Sequence, residues 1–118
     1  MDDGRPLFLQ IAEALESAIL DGSMPEGAQV PSINELAAFH RINPATALKG
    51  VNRLVDAGVL HKRRGVGMFV TEGARGALLE ARRGEFAAEH VAPLVSRAQA
   101  LGIGADELAA MITKEMGR

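Results

Sequence analysis

An α+β, mostly helical fold is predicted by three observations on this 118-residue chain. Two short helix-forming segments, each with its own capping signals, are separated only by Arg41, Ile42 and Asn43. A pair of strand-like runs follows, turning about the basic glycine tip Arg63-Arg64-Gly65-Val66-Gly67. Beyond Gly73 the apolar residues recur at helical steps, which makes the remainder a helical tail.

The elements follow in order. After Pro6, the residues Phe8, Ile11, Ala12, Leu15, Ala18 and Ile19 recur at three- and four-residue steps and form one helix face. Asp21-Gly22 stops that helix, and Met24-Pro25-Glu26-Gly27 is a turn. Ser32 and Glu35 form a capping box, each side chain answering an orphan amide, and open a helix from Ile33 to about His40 that buries Leu36, Ala37 and Phe39. Asn43 is an N-cap, and Pro44 stands at the first helical position, where its missing amide costs nothing. The helix from Pro44 to Ala57 buries Ala47, Leu48, Val51, Leu54 and Val55 and stops at Gly58. Val59 to Lys62 and Met68 to Thr71 are the two strands of a hairpin.

In the tail, Leu79, Phe86, His90, Val91, Leu94, Val95, Ala98 and Leu101 mark one stripe. Gly84 is a weak point and Pro93 is expected to kink the helix, because it removes an amide and crowds the preceding turn. Leu101-Gly102-Ile103-Gly104 breaks it. A last helix, about Ala105 to Met116, carries Leu108, Met111 and Ile112 on one face. The predicted architecture is therefore a winged helix-turn-helix domain over residues 1–72 and a short two-helix dimerisation tail over 73–118.

Hydrophobic residues make up 47% of the chain, enough for a core, but Trp and Tyr are absent and Phe occurs four times, so that core is aliphatic. With no cysteine, disulfides and thiolate metal sites are excluded. No apolar run approaches the roughly 20 residues that span a bilayer. The acidic start MDDGRPLF lacks the basic head and apolar core of a secretory signal. A soluble cytoplasmic protein, with no membrane partner, is expected.

The net charge of −2 alone argues against a polyanionic partner, but the distribution of that charge points the other way. Residues 1–39 hold Arg5 against Asp2, Asp3, Glu13, Glu16, Asp21, Glu26 and Glu35, whereas residues 40–64 hold Arg41, Lys49, Arg53, Lys62, Arg63 and Arg64 against Asp56 alone. Salt screens charges beyond about 8–10 Å, so a polyanion responds to the local patch. On the second capped helix, Ala45, Thr46, Lys49 and Arg53 lie opposite the apolar stripe. A helix fits the major groove with its N-terminal residues nearest the base edges. Asn43, Ala45 and Thr46 are then candidates for base contact, and Lys49 and Arg53 for phosphate clamps or secondary base contacts. At the hairpin tip, Gly65 and Gly67 allow close approach while Lys62, Arg63 and Arg64 supply charge. This loop lacks the following helix and the lysine-hydroxyl ending of a nucleotide phosphate loop.

These features together resemble the winged-helix DNA-binding domain of the GntR family of bacterial transcription regulators. Pro6-Leu7 with Gln10-Ile11, and Pro31-Ser32 with Glu35-Leu36-Ala37, resemble that family's first two helices. Asn43-Pro44 with Thr46 and Lys49, and Leu54 with Gly58, resemble its recognition helix; Arg63, Arg64, Gly65, Gly67, Phe69 and Val70 resemble its wing. The Asn-Pro start and the short tail resemble the YtrA-type subfamily. The resemblance implies DNA contact by Ser32 and by the residue before Glu35 as well. The family usually has an arginine between the Pro-Ser pair and the Glu-Leu-Ala run, where this chain has Asn34. Asparagine still hydrogen-bonds but lacks charge and bidentate reach. Ala45 and Gly50 are small and make the reading face sparser.

The tail stripe, above all Leu79, Phe86, Leu94, Val95 and Leu101, has no large partner elsewhere in so short a chain, and a second copy is the better cover. In YtrA-type regulators the resemblance gives this tail the role of forming a homodimer, and two-fold symmetry suits a palindromic operator. The tail is too small to enclose a roomy ligand pocket within one subunit, and the sequence leaves open whether a small-molecule effector sits at the dimer interface. No catalytic constellation is present: His40, His61 and His90 are scattered, and Glu13-Glu16 and Asp106-Glu107 read as solvated faces. The expected protein is a sequence-specific homodimeric repressor on double-stranded DNA, without cofactor or metal. The alternative is a winged-helix dimer of weak DNA affinity that acts through protein contacts.

Overall fold

The computed structural model describes residues 4–118, which divide into two compact units, one running to Glu80 and one from Ala81 to Arg118. The division falls inside helix α4 (Ala74–Phe86), and Ala74 and Leu78 are buried in the core of the first unit.

In the first unit, α3 (Pro44–Asp56) packs against both α1 (Leu7–Asp21) and α2 (Ile33–His40). Ile11 and Ile19 from α1, Val51 from α3, and Leu60 and Val70 from the hairpin are the largest fully buried side chains. Each contributes roughly 1.5–3 kcal/mol on full burial. Gln10 is buried with them and satisfied, its Nε2 donating to the Arg5 carbonyl at 2.8 Å. Two expected core positions are corrected. Phe39 is 82% exposed and Leu48 is 41% exposed. Both stand close to core residues along their helices, and a helical step of about 100° per residue turns them outward.

Strands β1 (Leu60–Arg63) and β2 (Gly67–Val70) pair antiparallel with Leu60 opposite Val70 and Arg63 opposite Gly67. They begin one residue later and one earlier than 59–62 and 68–71. The turn between them is closed by Val66 N–H donating to the Arg63 carbonyl at 3.0 Å, with Gly65 at φ +74° in the position that favours glycine. A third extended segment completes the wing: Val30 N–H donates to Met68 O at 2.8 Å and Val70 N–H to Ala28 O at 2.9 Å, bridging Gln29 to Phe69. Sequence reasoning missed it, since three residues before a proline carry no usable alternation.

The turn between α2 and α3 is fixed from both sides. At its start, Arg41 adopts a left-handed conformation (φ 56°), with Ile42 N–H on Ala37 O and Arg41 N–H on Ala38 O. At its end the Asn43 side chain caps α3. Gly58 (φ 79°) ends α3 through the same paired bonds, Val59 to Leu54 and Gly58 to Val55. The start of α4 is tied back by Glu26, whose carboxylate accepts from Arg75 N–H at 3.1 Å, and by Arg75 Nε, which donates to Leu20 O at 3.0 Å.

The second unit holds the end of α4, a π-helical turn at Ala87–Val91, α5 (Ala92–Ala100) and α6 (Ala105–Met116). Pro93 is met by that π turn and not by a break. Ala92 N–H reaches back five residues to Ala87 O, and the widened turn relieves the clash of the proline ring with the carbonyl four residues earlier. Ala98 is the one buried residue described from Ala81 onward. Among the described residues, no helix is long and apolar enough to cross a membrane.

Candidate nucleic-acid interface

The entry to α2 is a complete capping box: Glu35 N–H donates to Ser32 Oγ at 3.1 Å, and Ser32 N–H donates to Glu35 Oε1 at 3.0 Å. The Ser32 backbone amide, and then its hydroxyl, hold the Glu35 carboxyl below the usual carboxylate range. Ser32 is thus engaged within the cap, whereas Asn34, one residue before Glu35, is exposed. Asn43 Oδ1 accepts from Ala45 N–H at 2.7 Å, which leaves the Asn43 side-chain amide donors outside the cap. Along α3, Ala45, Lys49 and Arg53 are exposed and Thr46 is half-buried.

Gly50 does not belong to that outer face. It is buried, and a Cβ there would stand 2.7 Å from the Phe8 carbonyl oxygen and 3.0 Å from Ile11 Cβ. The glycine lets α1 and α3 approach closely, so it sets packing and does not thin the reading surface.

On the wing, Lys62, Arg63, Arg64 and Gly65 are exposed and Gly67 is half-buried. An open cleft of about 900 Å³ separates the wing from the start of α2 and is lined by Ser32, Glu35, Lys62, Arg63 and Arg64 among others. The wing tip is braced by Gln29, whose Nε2 donates to the Val66 carbonyl at 3.0 Å. Gly67 is favoured there by its φ of +137°, which L side chains rarely adopt, and a Cβ would also push aside that same Nε2 at 2.7 Å.

Three residues outside the predicted site set shape this surface. Gln29 holds the tip, Phe8 lies under the Lys49 ammonium, and Phe69 lies under the Arg63 guanidinium. The regular spacing of Phe8 and Phe69 signals only that they pack. Among the described residues no carboxylate is paired with Lys49, Arg53, Lys62, Arg63 or Arg64. Arg5, by contrast, is paired with Glu13. The predicted tail residues are exposed: Leu79 39%, Phe86 60%, Leu94 41%, Val95 39% and Leu101 76%.

Two capped helices at a tight turn, followed by a basic glycine-tipped hairpin, define a winged helix-turn-helix protein of the DNA-binding class. Residues 7–70 match the model of the gntR family of bacterial regulatory proteins, and the chain belongs to that family. It is a GntR-type transcription regulator, not an enzyme.

The chain is 32% identical over 77 residues to the transcriptional repressor YtrA of Bacillus subtilis, a match that covers 65% of this chain and 59% of YtrA. It therefore spans about three fifths of the length of that relative. A solved structure from Bacteroides thetaiotaomicron, assigned to the GntR family, superposes with a TM-score of 0.80 at 29% identity over 95% of this chain and 97% of that one. The DNA-binding domain of AraR, solved in complex with operator ORX1, matches at 28% identity and TM-score 0.56 over 60% of this chain and 86% of that domain.

Proposed function

We propose that this protein is a cytoplasmic homodimeric repressor that binds a palindromic DNA operator and blocks transcription there. Residues 1–72 grip DNA and residues 73–118 join the two copies. The observation that carries the reading is the set of exposed cations Lys49, Arg53, Lys62, Arg63 and Arg64, none paired with a carboxylate among the described residues, beside a rigidly capped helix-turn-helix. Asn43, Ala45 and Thr46 at the start of α3 read base edges, while Lys49, Arg53 and the wing cations neutralise phosphate. Gly65 and Gly67 let the wing backbone approach the duplex. Asn34 adds a neutral contact, and Ser32 acts by fixing the start of α2. The operator of AraR and the repressor role of YtrA support the reading by kinship.

The test is a salt-dependent shift assay on genomic fragments flanking the protein's own gene. Each cation that neutralises a phosphate steepens the log–log salt slope by about 0.9. In a dimer the contact occurs twice, so Arg64→Ala should flatten the slope by close to twice that amount. An unaltered slope with the fold intact would remove the wing from the interface. Weak, salt-insensitive binding by the wild-type chain would favour instead a dimer that acts through protein contacts, a reading that the uncharged Asn34 keeps open.

A further inference from the structure

Two phenyl rings in the first unit hold cations without neutralising them. The Lys49 ammonium lies 4.1 Å from the Phe8 ring centroid, and the Arg63 guanidinium carbon lies 4.6 Å from that of Phe69. Both fall within the roughly 6 Å over which a ring quadrupole attracts a cation. Two other cations of the same unit are tied to oxygen acceptors, Arg5 to the Glu13 carboxylate and Arg75 Nε to the Leu20 carbonyl. A carboxylate that restrains a lysine also cancels its charge toward a phosphate. A phenyl face restrains it and leaves the charge intact. The ammonium keeps its outward N–H donors, and a guanidinium attracted through its face keeps its edge donors free. The rings themselves are fixed: each is half-buried, and Phe69 also stacks on its cross-strand partner His61 with centroids 6.0 Å apart.

We infer that Phe8 and Phe69 are positioning residues of the DNA interface, holding Lys49 and Arg63 in place, charged and unpaired, before DNA arrives. The inference rests on reading those two cations as phosphate contacts. Ordering a long basic side chain against DNA costs rotamer freedom. A cation already seated on a ring has less of that freedom to lose.

The test is binding of a mixed-sequence DNA duplex to the full chain at low salt, read by fluorescence anisotropy. Phe8→Leu keeps an apolar side chain without the ring, and Phe8→Tyr keeps the ring. Phe8→Leu should weaken binding about two- to five-fold per contact with the salt slope unchanged. Phe8→Tyr should bind as the wild type does, and in a Lys49→Ala background Phe8→Leu should have no further effect. An equal loss in both backgrounds would overturn the proposal, leaving Phe8 a core residue only. The same cycle applies to Phe69 and Arg63. If Lys49→Ala and Arg63→Ala weaken binding while the folded ring variants do not, this proposal alone fails. If those two alanine variants bind like the wild type, the interface reading fails and takes the proposal with it. Should Phe8→Leu not fold, the wild-type protein still decides: the Lys49 side-chain methylene protons should be shifted upfield by the Phe8 ring current in NMR, and random-coil positions would overturn the inference.

Discussion

The large apolar side chains of the two units have opposite fates. Up to Glu80 they are mostly inside, with Ile11, Val51, Leu60 and Val70 at 1% exposure or less. Beyond it Phe86, Val91, Leu94, Val95, Leu101, Met111, Ile112 and Met116 are all at least 39% exposed, and Ala98 is the one buried residue described. One unit closes a core of its own, and the other presents helices whose apolar faces its own residues leave uncovered. Under the function proposed above, this difference separates two jobs, reading and joining. A reading unit needs a rigid frame, so its helices are capped and its apolar residues are turned inward. A joining unit keeps its apolar surface for a partner.

The largest effect should come from breaking the exposed side of that contrast. Phe86→Asp together with Leu94→Asp replaces two apolar side chains, each worth roughly 1.5–3 kcal/mol when fully buried. Sedimentation velocity should show monomers or unfolded chains. A folded dimer of unchanged size would place the joining surface elsewhere.

Two glycines sharpen the same contrast with opposite signs. Alanine is favoured over glycine in a helix by roughly 0.8–1 kcal/mol, so either substitution would stabilise the chain if propensity alone mattered. At Gly50 the new Cβ would lie 2.7 Å from the Phe8 carbonyl oxygen, whereas at Gly84 it would meet nothing within 4 Å. Gly50→Ala should destabilise by about 1–3 kcal/mol through overpacking. Gly84→Ala should stabilise by up to about 1 kcal/mol. Urea midpoints measure both, and a stabilising Gly50→Ala would show that α1 and α3 can move apart freely.

What the sequence makes legible follows the same line. Local signals locate the helices well: the Ser32–Glu35 box, the Asn43-Pro44 start and the Gly58 stop are chemical events within a few residues of each other. The exposed cations are legible too, because a charge cluster against one acidic residue needs no tertiary knowledge. Gly50 is not, since only the crossing of α1 over α3 reveals why a side chain is excluded there. The same holds for Gln29 and Gly67, which lie far apart in sequence and meet only when the wing folds. Phe39 and Leu48 mislead because an apolar residue beside a buried stripe looks like part of it. Pro93 does signal disruption, but the remedy, a π turn upstream, leaves no mark in composition.

A smaller effect is expected at Asn34, which is exposed before Glu35 on α2. If the position faces DNA, Asn34→Arg should tighten binding by about 1 kcal/mol or more through a charged, forked donor. A phosphate contact would raise affinity for operator and unrelated duplexes alike, and a guanine contact only for sites that carry guanine there. Unchanged affinity for both duplexes would turn Asn34 away from DNA and leave the cations of α3 and the wing as the whole electrostatic grip.

The smallest effect concerns the caps that make the reading unit rigid. Hydrogen bonds from the Ser32 amide and hydroxyl depress the Glu35 carboxyl, and amides of Gly73 and Arg75 depress that of Glu26. A carboxyl whose folded pKa lies below its unfolded value of 4.5 stabilises the fold in full above that value. The contribution fades as pH falls through the lower, folded value. Glu35→Gln keeps an acceptor for the Ser32 amide but removes the charge, so it isolates the ionic part of the cap. Thermal unfolding at about pH 7 should show the variant slightly less stable than the wild type, and the two curves should converge as pH falls from 4.5 through the lower, folded value, where the wild-type carboxyl becomes neutral as well. A gap that persisted undiminished in acid would mean that the substitution acts through shape, and that the start of α2 is held by hydrogen-bond geometry without help from charge.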